Sequence, residues 1–144
     1  MVAADTAALN GICPYYTMYP LSFPIAALAR AGREPGWVLD PFCGRGTTNY
    51  AARLLGLPTI GQDSSPVATA IAAAKMAETT KARVLRSARE ILDDGDEGDV
   101  PSGRFWELAY HPQVLRDLCR LRTTLLRDCT SDARIVLRSI ILGA

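Results

Sequence analysis

Histidine and paired cysteines are scarce in this chain. Its 144 residues include one histidine, His111, and four cysteines, Cys13, Cys43, Cys119 and Cys129. No two cysteines stand as Cys-x-x-Cys, so no zinc site follows, and no metal ligand is assigned. The N-terminus has no basic stretch ahead of an apolar core, which argues against a secretory signal. No apolar run reaches the ~18 residues of a membrane span, so no membrane partner is expected. Without a signal, the cysteines are read as reduced thiols of a cytoplasmic protein. An excess of one charge is lacking too. The formal net charge is +1, so bulk charge does not argue for nucleic acid. Aromatics make up 7% of the residues and apolar residues 49%, which suits an α/β or α domain. The length is that of one domain with a real core, and neither repeats nor low-complexity tracts interrupt it.

What is present is concentrated in Trp37 to Thr48, Trp-Val-Leu-Asp-Pro-Phe-Cys-Gly-Arg-Gly-Thr-Thr. An apolar strand, Trp37 to Asp40, ends on an acid. Gly44 and Gly46 form a Gly-x-Gly turn, and a helix from Thr47 to Leu55 follows, with Tyr50, Ala51 and Leu54 on one face and Gly56 past its end. Strand, glycine turn and helix make the layout of a nucleotide-type cofactor site at the end of a parallel strand. Asp40 belongs at the mouth of that crevice. Cys43, inside the turn, reads as a small packing residue and not a nucleophile.

A second strand, Pro58 to Gln62, leads to Asp63, 17 residues after Gly46. An acid there accepts hydrogen bonds from ribose hydroxyls in nucleotide-binding crevices. The same stretch, Asp63-Ser64-Ser65-Pro66, is also a helix start, with one of these side chains as cap and Pro66 in the first turn. An alanine-rich helix, Val67 to Met76, follows. Ahead of the first strand, Cys13 to Pro24 holds three prolines and three tyrosines in twelve residues, a stiff loop. It packs on the sheet edge or borders a ligand. A helix over Ile25 to Ala31, capped by Ser22 and ending near Gly32, follows it.

In these residues the chain resembles the S-adenosylmethionine-dependent amino-methyltransferases of DNA. Asp40-Pro41-Phe42-Cys43-Gly44-Arg45-Gly46-Thr47-Thr48 is similar to their motif I, the Tyr-Pro loop to motif X, and Gln62 to Ala68 to motif II. The resemblance covers roughly residues 13 to 78. It implies a partial Rossmann-like methyltransferase fold of the α/β class, with few parallel strands, flanking helices and a helical C-terminal half. It implies S-adenosylmethionine as cofactor and DNA as partner. Asp40, Pro41 and the Gly44 to Gly46 turn with Cys43 would hold the methionine end, with Phe42 beside it. Thr47 and Thr48 would offer hydroxyls, Asp63 with Ser64 would meet the ribose, and Tyr16, Thr17 or a neighbour would cover the methionine end.

The chain has no Pro-Pro pair. The family seats its target base over an Asp/Asn/Ser-Pro-Pro-Tyr/Phe loop, so the resemblance implies a truncated product, or the cofactor half of a longer enzyme, with no catalytic residue assigned. A second chain or a missing C-terminal half would then cover the sheet edge and the helix of residues 133 to 144. Some tRNA guanine methyltransferases carry a similar Asp-Pro-Phe-Cys-Gly-x-Gly-Thr run, which keeps an RNA substrate open; the second threonine and the Tyr-Pro loop favour DNA. A non-catalytic interaction module is the other alternative. A dehydrogenase is disfavoured because the third glycine of Gly-x-Gly-x-x-Gly is missing.

The remainder, 79 to 144, reads as helical. Lys75, Lys81, Arg83, Arg86 and Arg89 lie on or beside a helix predicted over Thr80 to Leu92. Asp93 to Asp99 is an acidic loop, expected to be exposed and mobile, without the calcium-hand pattern. Phe105-Trp106 and Tyr110-His111 are expected to close onto the core, with His111 in a local role at a helix start. Pro112 to Arg127 is amphipathic. Ala133 to Leu142 is apolar on most sides and expected to be buried. From Arg104 onward seven arginines face four acids, a mild basic face compatible with phosphate contact or with plain solvation.

Overall fold

The computed structural model describes residues 10–12, 19–31 and 36–143. They form a helix-rich α/β structure with a small parallel sheet. The chain divides into two compact units, residues 1–77 with 139–144, and residues 78–138.

In the first unit, α1 (Ser22–Arg30) follows Pro20 and Leu21. Pro24 sits in its first turn, where a missing N–H forfeits no helical bond. Ser22, expected as the cap, lies inside the helix instead. Leu21 holds the cap position without a side-chain bond, because the turn closes one residue earlier through Phe23 N–H to the Pro20 carbonyl at 3.0 Å.

Strands β1 (Val38–Asp40) and β2 (Thr59–Gly61) pair in parallel, with Val38 opposite Thr59, Leu39 opposite Ile60 and Asp40 opposite Gly61. Both are shorter than the sequence suggests, although Val38 N–H to Pro58 O and Gln62 N–H to Asp40 O, each 2.9 Å, prolong the pairing. Helix α2 (Thr47–Leu54) packs on both strands. Its buried Asn49 fixes that contact: Nδ2 donates to Thr59 Oγ1 at 2.7 Å, and Thr59 Oγ1 donates to the Val38 carbonyl at 3.0 Å. One polar relay thus ties the helix to both strands. Gly56, at φ +71°, closes the helix as expected.

Ser65 caps α3 (Pro66–Met76), its Oγ accepting from Ala68 N–H at 3.3 Å. Ala70, Ile71, Ala72 and Ala74 are buried. Arg53 Nη1 donates to the Lys75 and Ala77 carbonyls at 2.5 and 3.1 Å, satisfying open carbonyls at the end of α3. Leu39 and Ile60, side by side in register, remain 65% and 51% exposed. Parallel sheets are ordinarily covered on both faces; here one face is open.

In the second unit, α4 (Lys81–Asp94) starts at the Thr80 cap and packs on α6 (Pro112–Arg127). Val84 and Ile91 on α4, and Cys119, Leu121 and Leu125 on α6, are buried. The acidic loop is not loose. Glu97 pairs with Arg120 at 2.6 Å and Asp96 with Arg127 at 3.0 Å, while Thr123 Oγ1 donates to the Glu97 carbonyl at 3.3 Å. Charge complementarity between loop and helix holds it, and the sequence hides this because the partners lie over twenty residues apart. With Arg134 paired to Asp128, three of the seven arginines are therefore spent on acids.

The short α5 (Arg104–Ala109) buries no residue, so the expected closure onto the core does not occur. Its aromatics pack on each other, Phe105 edge-on to Trp106 and Trp106 stacked with Tyr110. His111 is the α6 cap, its Nδ1 accepting from Gln113 N–H at 3.3 Å. Helix α7 (Asp132–Ile141) buries Ala133, Val136, Leu137 and Ser139 but leaves Ile140 and Leu142 exposed. It is one-sided rather than buried all round. Among the described residues, no helix is long and apolar enough to cross a membrane.

Candidate functional site

The register that sets Asp40 opposite Gly61 places the ends of β1 and β2 together. From there the chain turns through Pro41 to Gly46 on one side and Gln62 to Ser65 on the other. Cys43 N–H donates to the Gln62 carbonyl at 2.9 Å, and Gly44 N–H donates to Asp63 Oδ2 at 2.8 Å. The glycine turn is thereby sewn to the end of the neighbouring strand.

Each oxygen of Asp63 has a backbone donor. Oδ1 accepts from Ser65 N–H at 2.9 Å, and Oδ2 accepts from Gly44. These two bonds, Ser65 first, hold its carboxyl below the ordinary aspartate value. Asp63 therefore serves the turn ahead of α3 and the glycine turn at once, while Ser65 caps the helix. A carboxylate oxygen accepts more than one bond, so lone pairs remain for a ligand hydroxyl. Asp40 is less committed: its Oδ1 accepts from Phe42 N–H at 3.2 Å.

The two glycines have different tasks. Gly44, at φ +50°, faces open space, and a Cβ there would meet nothing within 4 Å. Gly46, at φ +69°, is pressed on α3: a Cβ would stand 2.8 Å from Ala72 Cβ. Gly44 thus borders open space, and Gly46 is the point of close packing.

The thiol of Cys43 is buried, and its pKa is raised by burial first, then by the Asp63 and Asp40 carboxylates. It stays protonated at neutral pH, unfit as a nucleophile. Asp40, bonded to Phe42 N–H, and Asp63, bonded to Gly44 N–H, flank the turn. The mouth is acidic. It suits a cationic ligand and repels a pyrophosphate.

Among the other candidates, Thr47 is buried at the start of α2. Thr48 Oγ1 shares a 2.6 Å hydrogen bond with the Tyr19 hydroxyl, so Tyr19 reaches the start of α2. Tyr16 and Thr17 lie outside the described residues. Pro41 and Ser64 are exposed, and Phe42 projects at 87% exposure. A cavity of about 170 Å³ between β2, α2 and α3 is lined by Cys43, Asn49, Thr59 and Met76. It is smaller than a nucleoside pocket, so a cofactor would lie across the open mouth. Among the described residues, no group of His, Cys, Asp and Glu could hold a metal ion.

Sequence reasoning missed Asn49, Tyr19 and Lys75. Asn49 reads as an ordinary helix position, and only the pairing of β1 with β2 explains it. Tyr19 stood inside the flagged loop, its aromatic-proline context being the signal. Lys75 looks like a surface lysine at a helix end, yet it is fully buried, with Nζ donating to Asn10 Oδ1 at 3.2 Å.

Comparison with protein-family models, curated proteins and solved structures finds no match to this chain.

Proposed function

We propose that the ends of β1 and β2 bind S-adenosylmethionine and that the chain is the cofactor-binding part of a DNA amino-methyltransferase with a Rossmann-like fold. The observation that carries this reading is the pair of carboxylates, Asp40 and Asp63, around an open glycine turn at the carboxyl ends of adjacent parallel strands. Crevices at strand ends are where such sheets bind ligands. Two acids there select against a dinucleotide pyrophosphate and for a nucleoside that carries positive charge.

The residues fit that group. Gly44 leaves room for it. Asp40 has a free oxygen for the methionine ammonium, and Asp63 has lone pairs for ribose hydroxyls. Phe42 stands at the mouth, where its ring can fold over the apolar part of a ligand. When bound, S-adenosylmethionine supplies a methyl group on a sulfonium, which departs as a neutral thioether while the acceptor amine gives its lone pair and then loses a proton. The task left to this chain is placement, the main source of rate in such a transfer. No described residue is assigned to the acceptor base.

Calorimetry on the full chain tests the proposal with S-adenosylmethionine, its uncharged thioether product and NAD. Saturable binding of the first, weaker binding of the second and none of the third are expected. Asp40→Ala should weaken S-adenosylmethionine and its thioether product alike, because both carry the ammonium that Asp40 meets. No binding of S-adenosylmethionine would refute the reading. The open face at Leu39 and Ile60 favours a second reading, an interaction module; a stable oligomer without cofactor binding would support it. An RNA acceptor in place of DNA would be separated by methyl-transfer assays on both.

A further inference from the structure

Helix α4 carries Arg83, Arg86, Ser87 and Glu90 at the i, i+3, i+4, i+7 spacing, which puts all four on one side. They line a cavity of about 310 Å³ within the second unit, closed opposite by Ser131 and Ala133 at the start of α7 and by Arg134. That volume is at the lower end for a small-ligand site.

The polar groups of this cavity are unevenly satisfied. Arg134 is spent on Asp128 in an ion pair, and Ser131 Oγ accepts from Arg134 N–H. Arg83 and Arg86 have no acidic or carbonyl partner among the described residues, and neither has Glu90. Asp128 lines the cavity as well, paired with Arg134, and the free guanidinium groups of Arg83 and Arg86 against Glu90 leave the cavity positive by one charge. Ser87 lies in the wall with only 7% of its surface exposed, and its hydroxyl has no protein partner among the described residues. The first turn of the ten-residue α7 adds backbone N–H groups that no helical carbonyl can satisfy.

We propose that this cavity binds a phosphate ester, with Arg83 and Arg86 gripping its oxygens from α4, Ser87 donating from the wall, and the start of α7 completing the seat. Planar guanidinium forks match phosphate oxygens, and a helix start favours their charge. Glu90 opposes the anion and accepts from a hydroxyl next to the ester. The proposal stands apart from the cofactor reading, since every residue it uses lies in the other unit.

The test titrates the full chain with inorganic phosphate and follows backbone amide resonances. Saturable shifts at Ser87 and Ala133 are expected. Arg83→Ala or Arg86→Ala should weaken binding by about tenfold, and Ser87→Ala, a mild change within a helix, should also weaken it. Glu90→Gln should tighten it. Arg122→Ala, which removes an exposed arginine of α6 outside the cavity, is the control for overall charge and should change nothing. Ribose 5-phosphate and a short single-stranded oligonucleotide then distinguish the source: displacement by the first alone supports a small phosphomonoester, and displacement by both supports a nucleic-acid backbone. Absence of saturable binding, equal weakening by Arg122→Ala, or no effect of Ser87→Ala and Glu90→Gln overturns the proposal.

Discussion

Gly44 donates its backbone N–H to Asp63 across 2.8 Å and nineteen residues of chain. This bond makes the shape of the glycine turn depend on the ionised carboxylate at the end of the other strand. The folded-state pKa of Asp63 is depressed, so the bond is intact at neutral pH and is lost as pH falls through that lowered value, beneath the usual aspartate value of about 3.9. The Gly44 amide resonance should titrate with that low midpoint. In Asp63→Asn it should not titrate there, and S-adenosylmethionine should bind about tenfold more weakly. A Gly44 resonance indifferent to acid would show that the bond does not form in solution.

The two glycines of the turn separate folding from binding. In Gly46→Ala the new Cβ meets Ala72 at 2.8 and 2.9 Å, with backbone atoms involved, and φ is +69°. Overpacking and left-handed strain together should cost about 2–4 kcal/mol in urea denaturation. Gly44→Ala meets open space, so only the strain of φ +50° applies, about 1–2 kcal/mol. If the turn is the proposed cofactor site, its larger effect should be on S-adenosylmethionine affinity, because the added methyl would stand in the open space before the turn. Equal destabilisation by the two would contradict this division.

How much of this was legible in the sequence follows from how local each cause is. The order of α1 to α3 with two strands between them, the Gly56 helix stop and the meeting of Asp40, Gly44 and Asp63 were readable, because short-range pattern and one strand pairing determine them. The double duty of Asp63 was half visible: its position suggested ribose or helix start, and the bond to Gly44 needs the register of β1 on β2. The clamped acidic loop was invisible, since Glu97 and Arg120 meet only when α4 packs on α6. Apolar residues of α5 looked like core, yet a six-residue helix satisfied by its own aromatic stack covers nothing. Hydrophobicity says that a residue can be buried, not that a surface will arrive to bury it.

Lys75 gives the folded state an alkaline signature. Burial first, and then the positive charge of Arg45, push its pKa from 10.5 down to about 8. Between these two values the unfolded chain holds a proton that the native chain has released. Stability should therefore be level below about 8, where both states hold the proton, and rise with pH from there to about 10.5. Lys75→Met removes the charge and keeps the length of the side chain. The urea midpoint of the wild type should rise from pH 7 to pH 10, and that of Lys75→Met should lack this rise. The same rise in the variant would place its origin elsewhere.

Arg120 and Arg127 both reach the acidic loop, but they should contribute unequally. Arg120 is 27% exposed, holds Glu97 through Nη2 and also donates from Nη1 to the Leu92 carbonyl at 3.0 Å, near the end of α4. Arg127 is 68% exposed and holds only Asp96. An open ion pair is screened and gains little, whereas a half-buried guanidinium that satisfies a helix carbonyl leaves that carbonyl and a carboxylate unpaired when it is lost. Arg120→Ala should destabilise the chain by about 1–2 kcal/mol and speed amide exchange at Glu97 and Gly98. Arg127→Ala should leave the melting temperature unchanged within error, and 0.5 M salt should not reproduce the Arg120→Ala effect. Equal losses in the two variants would mean that charge alone, and not the bond to Leu92, holds the loop on α6.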